Sequence, residues 1–220
     1  MNALLNDFDM LAQGQRLKLA ESVALKPGAV RALVTPCAQT QKLVFGALSG
    51  LNVVAQSLKC ELIVEGSDLC QLPLAERSRG GQFIHFKNGS MPPPGIKVLD
   101  YLRRYTLIHD AAFENFAYFQ ASLKEAFALL GIGKETITEP YDRQHLNEDT
   151  LEKLDRLQWL LANPRLVLLD ETDACLLHAP EWPRLSQKAA LLLITADKGL
   201  AQSWQAPATL IHTEPFSHEC

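Results

Sequence analysis

The sequence lacks the features that mark several large functional classes. Among its 220 residues, no apolar run approaches the ~20 residues needed to cross a bilayer as a helix. Basic residues are not in excess: 21 Lys and Arg stand against 25 Asp and Glu, for a net charge of −4. There is also no basic stripe interleaved with aromatics, so nucleic acid is not expected as a partner. The first ten residues hold two aspartates and no basic residue, which is wrong for a secretory leader and predicts a cytoplasmic chain. The five cysteines (Cys37, Cys60, Cys70, Cys175, Cys220) include no C-x-x-C pair and no zinc spacing. Outside a secretory context an odd count predicts free, mostly buried thiols. His218-Glu219-Cys220 has metal-ligating side chains, but at the chain end it reads as a frayed tail, and no metal is expected.

What the chain does have is apolar material, 47 % of its residues, enough for one compact domain over 1–220. Arg16 to Leu25 reads as a half-buried strand, Lys26-Pro27-Gly28 as a turn, and Val30 to Val34 as a buried strand. Lys42 to Leu51 is a helical stretch ending near Gly50; Leu62 to Val64 and Phe83 to Phe86 are short strands. Pro92 to Pro94, followed by Gly95, is a rigid turn that opens a new section. From Lys97 to Leu130 apolar residues recur at helical spacing, and a second helix runs from Glu148 to Leu161, stopping at Asn163-Pro164. Together these predict a helical subdomain over 97–162. Leu166 to Leu169 and Ala190 to Thr195 are unbroken apolar runs, the pattern of parallel strands buried on both faces, and Ala208 to His212 is a last short strand. Strands alternating with helices predict an α/β sheet.

The order matters more than any single segment: strand, sharp loop, helix, then much later an apolar strand ending in Asp170-Glu171. That is the layout of P-loop NTPases, where loop and acidic strand end meet around a phosphate and Mg²⁺. From about Arg16 to His212 the chain resembles the ABC ATPase family, and within it the SUF-system (SufC-type) ATPases of iron–sulfur cluster assembly. Val34 through Leu51 falls where that family has its phosphate loop and following helix. Glu65-Gly66-Ser67-Asp68-Leu69 matches a G-x-D-L segment, and Phe83 to Lys87, with Pro94-Gly95-Ile96, resembles the Q-loop region. Asn163-Pro164-Arg165-Leu166, running into Leu169-Asp170-Glu171-Thr172-Asp173, resembles the Walker B segment. The resemblance implies a P-loop NTPase fold with an inserted helical subdomain.

Measured against that resemblance, the departures are extensive. A phosphate loop needs glycines, because its N–H groups converge through positive-φ backbone that threonine and other bulky residues resist. Here the loop, Thr35 to Lys42, holds no glycine. Gln41 takes the lysine position and Lys42 the Mg²⁺-hydroxyl position. Lys87 stands for the Q-loop glutamine, Asn147-Glu148-Asp149 for the signature Ser-Gly-Gly, Ala174 to Leu177 for the D-loop and Ala196 for the switch histidine. Asp170 and Glu171 remain as a relic acidic pair without a catalytic role. The resemblance then implies a pseudo-ATPase with neither half of a composite ATP site, binding no cofactor and working as a protein-interaction subunit of a SUF-like scaffold or a transporter. The alternative is a weak ATP-binding or slow ATPase subunit that uses ATP and Mg²⁺. Trp159, Trp182 and Trp204 are expected as core or interface anchors. Lys42 is expected to take the metal's place and pair with Asp170, with Lys87 near Glu171.

Overall fold

The computed structural model describes residues 3–50, 55–77, 83–85, 92–170, 187 and 189–215. Among the described residues, ten strands form one curled sheet with an antiparallel and a parallel part. The antiparallel part contains β1 (Ala3–Ala12), β2 (Gln15–Leu19), β3 (Val23–Leu25), β5 (Ser57–Val64) and β6 (Ser67–Asp68). The parallel part contains β4 (Val30–Val34), β7 (Phe83–His85), β8 (Leu166–Leu169) and β9 (Ala190–Thr195). β10 (Ala208–Pro215) joins them, running antiparallel to β2 and parallel to β4. The path is β6-β5-β1-β2-β10-β4-β9-β8-β7, with β3 paired to β1.

β1 lies outside the sequence expectation. Its alternation breaks at a bulge between Leu5 and Asp7, so the buried side chains fall at Ala3, Leu5, Phe8, Met10 and Ala12 rather than at every second residue. The stretch read as one strand from Arg16 to Leu25 is two, β2 and β3, with β2 paired to β1 and β10 and β3 paired to β1.

The parallel strands follow the pleat. Leu33, Leu166, Leu168, Leu192 and Ile194 face one core, shared with the antiparallel strands and helix α1 (Ala38–Ser49). Ala32, Val34, Val167, Leu169, Leu191 and Leu193 face the other, against Trp159, Ala201 and Ala206. Because β8 and β9 are covered on both faces, every one of their side chains is buried.

Between the Pro-rich turn and β8 the chain is helical. It comprises α3 (Val98–His109), α4 (Phe116–Leu130) and α5 (Glu148–Ala162), after a short α2 (Leu74–Arg77). The single helix expected from Lys97 to Leu130 is broken by two residues whose side chains take over backbone amides. Asp110 accepts from Ala112 N (2.8 Å), and Asn115 accepts from Ala117 N (3.0 Å) and Tyr118 N (3.2 Å). Leu102, Phe119, Leu123, Phe127, Leu151, Leu154 and Leu157 make a separate helical core. Trp159, 2 % exposed, turns from α5 to the sheet and belongs to the core there, the role expected of it. Trp204, after α6 (Lys198–Ser203), packs on the same cluster, and Trp182 lies outside the described residues.

The cysteine expectation is corrected. Cys60 on β5 and Cys70 in the 3₁₀ turn after β6 are bonded, Cα to Cα 5.9 Å, because the β5–β6 hairpin folds the chain back across ten residues. Cys37 is free and exposed rather than buried. Cys175 and Cys220 lie outside the described residues. No described helix is long and apolar enough to cross a membrane.

Candidate functional site

The candidate site lies at the carboxyl edge of the parallel strands, where ligands of open α/β sheets bind. Register brings its parts to one rim. Val34 is level with Thr195, and Leu193 is level with Leu169, so Thr35, Ala196 and Asp170 leave three neighbouring strands on the same side.

Thr35 is buried and tied to the next strand. Its N–H donates to Thr195 O (2.8 Å), and its hydroxyl lies 3.2 Å from the same oxygen and 3.3 Å from Cys37 O. Cys37 is extended (φ −158°) and forms the N-cap of α1, whose first turn is Ala38, Gln39 and Thr40. Gln41 N donates to Cys37 O at 3.0 Å, an ordinary helical bond. No residue from Thr35 to Lys42 has positive φ. The loop therefore runs straight into helix at Ala38, four residues before the expected start.

The Cys37 thiol sits at this helix end. The Thr40 hydroxyl is 3.3 Å from Cys37 Sγ. That hydroxyl, with the Thr40 and Gln39 amides, holds the thiol pKa below its ordinary value against a smaller desolvation effect. Gln39 reaches across to the β1–β2 turn, donating to Gln13 Oε1 at 2.5 Å. Gln41 is 8 % exposed, whereas Lys42 is exposed.

Asp170, half-buried, follows the fully buried β8. No ion pair joins it to Lys42, so the expected tether is not formed. Gln41 and Lys42 are one residue apart on α1, ~100° around the helix, and it is Gln41 that turns inward while Lys42 meets solvent. Glu171, Lys87 and Ala174 to Leu177 lie outside the described residues, including the expected Lys87–Glu171 approach. Ala196, half-buried, follows the end of β9 at Thr195, whose hydroxyl accepts from Asp197 N (2.8 Å).

At the signature position, Asn147 is the N-cap of α5 and accepts from Thr150 N (2.8 Å). Glu148 and Asp149 sit in the first turn, where the helix dipole favours acids. The two acids thus have a local structural use. Among the described residues, no group of His, Cys, Asp or Glu has metal-holding geometry.

The fold is shared with solved ABC proteins. A chain described as the ATP-binding subunit of an ABC transporter superposes with a TM-score of 0.68 at 16 % identity, over 96 % of this chain and 86 % of that one. The fold is that of an ABC-type ATPase domain. A bacterial ABC transporter cassette solved as a dimer gives a TM-score of 0.59 at 13 % identity, over 91 % of this chain and 90 % of that one. By sequence, the chain is 26 % identical over 172 residues to the "Probable ABC transporter ATP-binding protein" of Streptococcus pyogenes serotype M18. That match takes in 77 % of this chain and 66 % of the relative's length. Proteins of the same description from serotypes M3 and M6 also match over 172 residues at 26 % identity. No protein-family model matches the chain.

Proposed function

We propose that this chain is an ABC-type subunit that works by contact with partner proteins and does not itself turn over ATP. The observation that carries the reading is the loop after β4. It enters helix at Ala38 with no left-handed residue, and glutamine stands where a lysine would meet the β- and γ-phosphates. A nest of converging amides needs alternating backbone hands, and these residues do not make one. The acids in the first turn of α5 add repulsion for phosphate at the opposing station of a paired site. The partner class we favour is a subunit of a transporter, in line with the names of the relatives; a SUF-type scaffold is the other candidate.

A second reading, a weak ATP-binding or slowly hydrolysing subunit of such a complex, is favoured by those same names and by Asp170 at the end of β8. Calorimetric titration of ATP with and without Mg²⁺, beside a phosphate-release assay, separates the two. The first reading expects no heat of binding and no release above buffer. Turnover that is lost in Glu171→Gln would overturn it. Purification of the tagged chain from its own cells tests the partner class, with a membrane subunit or an iron–sulfur scaffold as the two informative catches.

A further inference from the structure

The helical core contains a carboxylate that no cation among the described residues meets. Asp155 on α5 accepts from the Tyr141 hydroxyl (3.1 Å) and from Gln158 Nε2 (3.4 Å). The same Gln158 nitrogen donates to the Tyr141 hydroxyl (3.1 Å), and Gln158 Oε1 accepts from the Tyr101 hydroxyl (3.4 Å). Tyr101 comes from α3 and Tyr141 from the segment before α5; their rings meet edge-on at 5.1 Å. One network therefore spans three parts of the helical region.

The charges around it have one sign. From α5 itself come Glu148 and Glu152. Its cations are engaged elsewhere, Lys153 with Asp149 (2.6 Å) and Arg156 with Glu152 (3.4 Å). α3 contributes Tyr101 and Tyr105, and His109 lies beyond them, 4.5 Å from the Tyr105 ring. The segment before α5 contributes the Tyr141 phenol, while its Asp142 and His145 pair with each other (2.8 Å). A half-buried carboxylate, partly withdrawn from water among neutral donors and acids, is destabilised in its ionised form.

We propose that Asp155 is a proton-operated latch joining α3, the Tyr141 segment and α5, so that protonation tightens the helical region and ionisation loosens it. The proton comes from solvent, and no other group need change state. Burial raises the Asp155 pKa to about 6; the Tyr141 hydrogen bond opposes this, and Glu152 and Glu148 add to it. For an acid whose pKa is raised by folding, the extra stability is full below the unfolded value of 3.8 and disappears as pH rises through about 6. The inference does not depend on whether the chain binds nucleotide.

Hydrogen exchange on the full chain, wild type against Asp155→Asn, tests it. Because the two proteins differ only at Asp155, the ratio of their opening constants isolates that residue. In amides of α3 and α5 that ratio should fall about tenfold between pH ~7.5 and pH ~5. A ratio that does not change with pH overturns the latch. Should Asp155→Asn fail to fold, carboxyl ¹³C titration of the wild type decides. A midpoint near 6 supports the latch, and one in the ordinary carboxylate range overturns it.

Discussion

A methyl group at Gly50 would lie 2.7 Å from Nη1 of Arg77. Gly50 ends α1 in the left-handed conformation (φ +76°), and the space left by its missing side chain is filled by the guanidinium. Arg77, itself buried, donates to Leu48 O (3.2 Å), Leu72 O (3.1 Å) and Cys70 O (3.3 Å). It closes the carbonyl end of α1 with a cation, the favourable sign there, and fastens the Cys60–Cys70 hairpin to the helix.

Gly50→Ala should therefore cost more than a left-handed alanine alone. That backbone penalty is about 1–2 kcal/mol, and displacing the guanidinium from its carbonyls adds to it. Gly131→Ala is the matched control: its φ is +63°, and a methyl added there would meet nothing within 4 Å. Urea unfolding of both variants should show Gly50→Ala less stable than Gly131→Ala by at least ~1 kcal/mol. Equal losses would show that Arg77 yields freely.

Neighbouring positions on α1 should respond in opposite ways. Lys42 is exposed and makes no pair with Asp170, so Lys42→Ala should move stability by no more than ~0.5 kcal/mol. Gln41→Lys puts a cation at a buried position and should cost about 2 kcal/mol or more. The new lysine should also give no Mg²⁺-dependent phosphate release from ATP, because the helical backbone from Ala38 is unchanged. Gain of nucleotide binding by Gln41→Lys alone would count against the proposed function.

The Cys37 thiol should be unusually reactive. Its lowered pKa means a larger thiolate fraction near neutral pH than an ordinary cysteine has. Alkylation of the Cys37 peptide, followed by mass spectrometry against pH, should show a midpoint below that of a free thiol. Thr40→Val removes the hydroxyl that contributes most and should shift the midpoint upward. An unchanged midpoint would remove Thr40 from the explanation.

The start of α5 offers a salt-sensitive test. Asn147→Ala removes the cap on Thr150 N and should cost about 1 kcal/mol at any ionic strength. Glu148→Gln should cost no more than ~0.5 kcal/mol, and only in low salt, since dipole interactions at an exposed helix end are screened. Thermal melts at two salt concentrations distinguish the hydrogen bond from the charge.

Legibility in the sequence followed burial. β8 and β9 are covered on both sides, so their apolar runs are unbroken and their ends fell within a residue of expectation. β1 was hidden because one bulge at Asn6 shifts its apolar phase. The start of α1 at Ala38 was not legible either, since a glycine-free loop gives no sign of which backbone replaces the nest. Lys42 was placed at the start of the right helix and Gln41 in the loop before it, and the direction each faces depended on the true start at Ala38. Thr35's tie to Thr195 joins residues 160 apart, and its signal exists only once β4 and β9 are neighbours. The Cys60–Cys70 bond needed the β5–β6 hairpin, and the spacing of ten residues alone does not announce one.

Helix α5 is a wall shared by two rooms. Leu151, Leu154, Leu157 and Leu161 line the helical core, while Trp159, from the same helix, lines the core beneath β8 and β9. Cutting out residues 97–162 would expose a tryptophan on the fragment and open a hole of indole size under the parent sheet. The insertion is thus not a cassette to be exchanged among relatives at will. A chimera would have to carry the sheet residues around Val167 and Leu191 along with the helices. Drift in either core is felt by the other through that one side chain.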